Sequence, residues 1–159
     1  MAEVARELVE RFSAQGRTFG TAESLTGGMI AARVASVSGA SAVLMGGVVA
    51  YDPRVKHGVL GVEQQVIDTV GVVSRECAYQ MAQGARRVLG VDVAVSATGI
   101  AGPTGGTPQT PVGTVFIGCA CANGVAVDEC HFTGDRQSIR EQSVEHAIQM
   151  ALNVLKDGQ

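Results

Sequence analysis

The chain has 159 residues, 46% of them hydrophobic and 17% charged, and carries a net charge of −3. Those figures exclude a disordered chain and predict one domain, residues 1–159, with a real core. The mild acidity, without a basic stripe, argues against nucleic acid as a partner. The longest apolar run, Ala42 to Ala50, is broken by Gly46-Gly47 and is too short to span a bilayer. The acidic N-terminus is no signal peptide, so a cytoplasmic protein without a membrane partner is expected.

Val4, Ala5, Leu8, Val9 and Phe12 recur at helical spacing, with Gly16 as the stop. A short β-prone stretch, Arg17 to Thr21, then leads into a polar elbow from Thr21 to Gly28, and an apolar helix follows to about Ala35. After a Ser/Gly/Ala loop at 36–41, Ala42 to Tyr51 reads as a buried strand whose glycine pair marks a bulge or close packing. Asp52 and Pro53 are the cap and first residue of a short helix that holds Lys56 and stops near Gly58. Glu63 to Val70 is expected to add a further turn.

An amphipathic helix is predicted from Ser74 to Leu89, ended by Gly90, and a continuous apolar strand from Val91 to Thr98. Residues 99–112 form a loop rich in Gly, Pro and Thr. A hairpin over Gly113 to Ala122 and Val125 to Phe132 follows, turning at Asn123-Gly124. The last helix runs from about Asp135 to Lys156. Helices before, between and after the strands predict an α/β fold, a three-layer α/β/α sandwich on a mixed sheet.

Three strand ends carry polar groups where α/β sheets bind ligands: Ser24, Tyr51 with Lys56, and Thr98 with the glycine loop behind it. Ser24 sits at a strand-to-helix turn, where helix-start N–H groups lack partners. A hydroxyl beside free N–H donors, here expected around Thr26, Gly27 and Gly28, suits acyl transfer. The plain alternative is a Ser/Thr helix cap. Lys56, four residues into its helix, leans back towards the elbow and, desolvated there, can take the Ser24 proton; spacing alone favours the plainer alternative of a solvated surface lysine. Tyr51 would orient either group through its phenol, or simply cap the sheet. The loop, with Thr98, Gly99, Ala101 and Gly102 at its start, offers backbone donors but lacks the Gly-Lys-Ser/Thr ending of a phosphate-binding P-loop. Arg136 and Arg140, one turn apart early in the last helix, oppose its dipole; an incoming anion such as a monophosphate would explain them, and so would salt bridges to Glu141 or Asp135.

The four cysteines show no CxxC pair. Turning the hairpin at Asn123-Gly124 sets Ile117 opposite Cys130 and Cys119 opposite Asp128, which brings Cys119, Cys121 and Cys130 to one face with His131 nearby. A structural metal site there ranks below reduced core thiols. No His–Asp pairing supports a Ser-His-Asp hydrolase.

Ala22-Glu23-Ser24-Leu25-Thr26-Gly27-Gly28, then Tyr51 and Lys56, then Gly99-Ile100-Ala101-Gly102-Pro103 with Gly105-Gly106, then Pro111 to Val115, then Gly134-Asp135-Arg136, stand in an order that closely resembles the CinA C-terminal domain family, the nicotinamide mononucleotide deamidases. The resemblance covers Val4 to Leu155. It implies a hydrolase that converts nicotinamide mononucleotide to nicotinate mononucleotide and ammonia in pyridine-nucleotide recycling. Ser24, Lys56 and Tyr51 match the family's Ser–Lys arrangement assisted by Tyr, and no metal or cofactor is implied. Longer members carry an N-terminal domain of molybdopterin-binding type, so this chain is expected to be the stand-alone form. It has Leu25 where some deamidases have Cys. The expected partners are a small nucleotide substrate and further copies in a homo-oligomer. The competing reading is a nucleotide-binding module without turnover, linked to competence or DNA-damage responses.

Overall fold

A computed structural model describes residues 2–156. In chain order the elements are α1 (Ala2–Ala14), β1 (Phe19–Glu23), α2 (Met29–Ala35), a 3-10 turn (Ala40–Ala42), β2 (Leu44–Val49), α3 (Pro53–Gly58), α4 (Gln64–Asp68), α5 (Arg75–Leu89), β3 (Val93–Gly99), β4 (Thr114–Cys121), β5 (Gly124–His131) and α6 (Arg136–Lys156). The strand order is β2-β1-β3-β4-β5. β1 runs parallel to β2 and β3, while β3–β4 and β4–β5 are antiparallel. The sheet is therefore mixed.

The alternation of strand side chains divides the core in two. On one face Phe19, Val93, Val95, Val115 and Ile117 pack with Leu8 and Phe12 of α1, Ile30 and Val34 of α2, and Val144 and Ile148 of α6. On the other, Ala22 and Ala94 meet Cys77, Met81 and Ala85 of α5, with Leu60 and Val62 from the segment after α3. This is the expected three-layer α/β/α arrangement. β1 is buried along its whole length, and β3 and β4 almost so; these are the apolar central strands.

The helix boundaries follow their local chemistry. Gly16 and Gly90 take positive φ, 64° and 63°, behind α1 and α5. Asp52 accepts the Arg54 N–H at the start of α3, with Pro53 in the first turn, and Ser74 accepts the Cys77 N–H at the start of α5. The glycine pair of β2 serves close packing. A Cβ on Gly47 would lie 2.4 Å from Thr21 Oγ1, and one on Gly46 3.2 Å from Leu89.

The hairpin departs from expectation. Cys121 pairs with Gly124, so the loop is Ala122-Asn123 and not Asn123-Gly124. A type I′ turn needs positive φ at both central residues; here only Gly124 has it, at 135°. The register moves by two, setting Cys130 opposite Val115, Cys119 opposite Ala126, and Ile117 opposite Asp128. Among the described residues no group of three His, Cys, Asp or Glu is placed to hold a metal. No helix among them is long and apolar enough to cross a membrane.

Because β1, β2 and β3 are parallel, their carboxyl ends lie at the same edge of the sheet. The chain leaves them at Ser24, at Ala50-Tyr51 and at Ile100. β4 runs the other way, so its start, Thr114, comes to that same edge, and so does the beginning of α6 after β5. All the polar strand ends are thereby gathered in one place.

Candidate active site

Ser24 follows the last residue of β1, and its N–H still donates to Ala97 O of β3 at 3.0 Å. The chain then turns sharply. Gly27 N–H returns to Ser24 O at 3.0 Å, Gly27 takes φ 58° and Gly28 φ 107°. These are left-handed conformations that glycine adopts without a Cβ penalty. Both glycines precede α2, and Gly28 is its N-cap without a side-chain cap.

The helix start is nonetheless capped, by a residue that sequence inspection left without a role. Glu23, 1% exposed, accepts Gly28 N–H at 3.2 Å and Ile30 N–H at 2.8 Å on one oxygen, and Ala31 N–H at 2.9 Å and the Thr21 hydroxyl at 3.0 Å on the other. A carboxylate at a helix N-terminus also complements the helix dipole. Two expectations change as a result. Neither Ser24 nor Thr26 caps α2, and the N–H groups of Gly27 and Gly28 are engaged within the protein. The unpartnered backbone donors of the elbow, among the described residues, are the N–H groups of Leu25 and Thr26.

Lys56 lies one turn into α3, 1% exposed. Its amine sits 2.8 Å from Ser24 Oγ, 2.7 Å from Ala50 O and 3.2 Å from Tyr51 O. No carboxylate among the described residues pairs with it. Burial holds its pKa below the ordinary 10.5, against weaker opposing effects of Cys77 and Asp52. The neutral amine has two hydrogens and one lone pair. With both hydrogens on the two backbone carbonyls, an amine in that form would turn its lone pair to the Ser24 hydroxyl. A hydroxyl and an amine at this distance can work as nucleophile and base.

Ser24 and Leu25 line a cavity of about 230 Å³ with Tyr51, Gly99, Ile100, Ala101, Gly102, Thr104, Gly105 and Arg136. The loop after β3 folds over it. Ile100 N–H bonds Thr114 O, and Gly113 N–H bonds Ile100 O, so the loop base continues the sheet ladder. Beyond it the N–H groups of Ala101, Gly102, Thr104 and Gly105 have no partner among the described residues. They form a run of donors suited to an anion.

The remaining expected residues divide. Arg136 reaches the cavity, donating to Gly102 O at 2.9 Å and lying 3.4 Å from the Tyr51 hydroxyl. Tyr51 is 61% exposed. Its carbonyl holds Lys56, while its phenol faces Arg136, so the expected contact of the phenol with Ser24 or Lys56 is not formed. Thr98 is buried and donates to Val72 O, away from the cavity. Thr26 is buried, and its hydroxyl has no partner among the described residues. Arg140 does not converge with Arg136 on the cavity. It donates to Leu25 O at 2.9 Å, Thr26 O at 3.3 Å and Gln137 Oε1 at 3.2 Å. The position of both guanidiniums early in α6 has a local reason: backbone carbonyls of the site.

Three thiols are buried and pushed up by burial, Cys77 and Cys130 to about 11 and Cys119 to about 12. They stay protonated at neutral pH, which suits core residues.

Residues 1–155 match the profile of the CinA C-terminal domain. The chain is 44% identical over 155 residues to the CinA-like protein of Leptospira borgpetersenii, covering 97% of this chain and 37% of that one. It therefore spans little more than a third of such curated relatives. Among solved structures, the competence/damage inducible protein CihA from Agrobacterium tumefaciens superposes with a TM-score of 0.94 at 39% identity, covering 96% of this chain and 93% of that one. The competence damage-inducible protein A from Klebsiella pneumoniae superposes with a TM-score of 0.95 at 30% identity, covering 99% and 98%.

Proposed function

The chain belongs to the CinA C-terminal domain family, and we propose that it is an amidohydrolase that removes ammonia from a nucleotide carboxamide through an acyl-enzyme on Ser24. The observation that carries this is the Lys56 amine, buried without a carboxylate partner among the described residues, 2.8 Å from Ser24 Oγ and tied by two backbone carbonyls.

The neutral Lys56 amine takes the proton of Ser24 as Oγ attacks the carboxamide carbon. The carbonyl electrons move onto oxygen, and the Leu25 N–H stabilises the resulting oxyanion. In comparable sites one such donor contributes about 3–4 kcal/mol to the transition state. Collapse of the tetrahedral centre breaks the C–N bond, and Lys56 returns its proton to the departing nitrogen, which leaves as ammonia. Water then attacks the ester, giving a proton to Lys56. Collapse expels Ser24 Oγ, which recovers that proton. Amide and water become carboxylic acid and ammonia, which in water exchange a proton to carboxylate and ammonium, and the protein ends as it began. A positioned base of this kind contributes roughly 10²- to 10⁴-fold.

The substrate is nicotinamide mononucleotide, as the sequence resemblance implies. Arg136 and the N–H groups of Ala101, Gly102, Thr104 and Gly105, unpartnered among the described residues, support a negatively charged group on it, and Tyr51 forms part of the wall for the ring. The homo-oligomer belongs to the same proposal and is read by light scattering. The deciding experiment is ammonia release from nicotinamide mononucleotide by the wild type beside Ser24→Ala. Full activity in a folded Ser24→Ala protein would end the mechanism. Nucleotide binding with no ammonia from the wild type would favour the module without turnover.

A further inference from the structure

Arg140 is half-buried on the second turn of α6, outside the cavity wall, yet its guanidinium donates to both central carbonyls of the Ser24–Gly27 turn: Leu25 O at 2.9 Å through Nε and Thr26 O at 3.3 Å through Nη2. The turn itself is closed by Gly27 N–H on Ser24 O at 3.0 Å. In a planar trans peptide the N–H points opposite to the C=O, and the peptides of this turn are trans, since the cis bond recorded is Gly102–Pro103. Fixing Ser24 O on Gly27 therefore turns the Leu25 N–H outward from the turn. Arg140 acts on the next two peptides: fixing Leu25 O turns the Thr26 N–H away from α6, and fixing Thr26 O turns the Gly27 N–H back towards Ser24 O, which holds the peptide that carries the Leu25 N–H. Neither the Leu25 N–H nor the Thr26 N–H has a partner among the described residues, and Leu25 lines the cavity beside Ser24.

We propose that Arg140 is a positioning residue for the amide hydrolysis at Ser24, clamping the elbow so that the Leu25 N–H is presented to the oxyanion while Ser24 Oγ stays on Lys56. The inference rests on the amidase reading of the site. It assigns the two arginines different tasks. Arg136 lines the cavity and meets the ligand's charge; Arg140 meets the protein's own backbone. The turn is braced from both sides, because Glu23 accepts the N–H groups after it while Arg140 donates to the carbonyls within it. A guanidinium suits this place better than an ammonium, since its planar fork reaches two neighbouring acceptors at once.

The test compares Arg140→Ala, Arg140→Lys and Arg136→Ala on nicotinamide mononucleotide and on nicotinamide riboside, which carries the same carboxamide without the phosphate. For Arg140→Ala we expect kcat to fall by roughly 10- to 100-fold on both substrates, less than the roughly 10²- to 10³-fold that outright loss of an oxyanion donor costs, with KM nearly unchanged. Arg140→Lys keeps the charge but reaches one carbonyl, and falls between. Arg136→Ala raises KM for the mononucleotide alone. The rate at which a fluorophosphonate labels Ser24, followed by mass spectrometry, should drop in parallel with kcat, because its P=O oxygen occupies the oxyanion position. If Arg140→Ala does not fold, Arg140→Lys decides: wild-type kcat and labelling in that variant overturn the proposal. A raised KM confined to the mononucleotide, with kcat kept, also overturns it and makes Arg140 a phosphate ligand. Wild type that neither releases ammonia nor labels at Ser24 removes the amidase reading and this inference with it. Wild type that does both while the Arg140 variants match it removes this inference alone.

Discussion

The Glu23 carboxylate accepts the Ile30 N–H at 2.8 Å, so the last residue of a strand caps the helix that follows it. With Gly28, Ala31 and the Thr21 hydroxyl as further donors, one buried side chain sets the angle at which the chain leaves β1, and hence the place of Ser24. Glu23→Gln keeps the shape but turns one acceptor into a donor that faces N–H groups. Loss of such charge-assisted bonds costs about 2–3 kcal/mol, which for a chain of this size lowers Tm by roughly 5–10 °C. Ammonia release should fall with it while the fold persists. Calorimetry and the amidase assay on the same preparation check both; an unchanged Tm would mean that the cap carries no weight.

Why Ser24 and Lys56 could be matched from sequence while Glu23 could not is a matter of range. Asp52 and Pro53 fix where α3 begins, and the lean of helical side chains then aims Lys56 at the neighbouring strand end. Those are local rules. Capping rules look for a Ser, Thr, Asp or Asn at the N-cap itself, and here Gly28 holds that place while the acceptor arrives from across a turn. Arg136 and Arg140 look alike on a helical projection. Their separation follows from how α6 packs against α2 and the elbow, which no local pattern encodes. The Tyr51 phenol faces Arg136 for a similar reason: the carbonyl, common to every residue type, is what meets Lys56. The hairpin register turned on whether Asn123 would adopt positive φ, and it does not.

Lys56 makes the site pH-dependent in a defined direction. Burial lowers its pKa below 10.5. Between the folded and unfolded values the unfolded chain holds a proton that the folded chain has released, so stability rises with pH through that window. Below it the cost of a buried ammonium is fully present. The base form gains population over the same limb, so kcat/KM should also climb with pH and level off before the ordinary lysine range. Denaturant titrations of wild type and Lys56→Met from neutral to alkaline pH should show the stability limb in the first and its loss in the second. A flat wild-type profile would place the titration elsewhere.

Gly84 links α5 to the site through packing. A Cβ there would stand 1.9 Å from Leu60 O, and the segment holding Leu60 goes on to Val62, whose N–H bonds Lys56 O at 3.0 Å. In a helix interior Gly→Ala ordinarily stabilises by about 1 kcal/mol. Here the clash is with backbone, and overpacking of that kind costs roughly 1–3 kcal/mol. Gly84→Ala should therefore lower Tm, and it should reduce kcat because displacement of Leu60 moves α3. A raised Tm would show that the segment yields freely.

Thr26 offers the opposite case. Its hydroxyl is buried without a partner among the described residues, and an unsatisfied buried polar group costs about 1–3 kcal/mol. Thr26→Val is nearly the same shape and keeps the carbonyl on which Arg140 rests. It should raise Tm by a few degrees, the reverse of the usual direction for a change beside a nucleophile. Because Thr26 lies outside the cavity wall, kcat and KM should stay close to wild type. If the valine variant instead unfolds earlier, the hydroxyl is hydrogen-bonded in solution. If it loses activity at unchanged Tm, the hydroxyl takes part in the reaction, and the donors of the elbow number one more than Leu25 and Thr26 supply through their backbone.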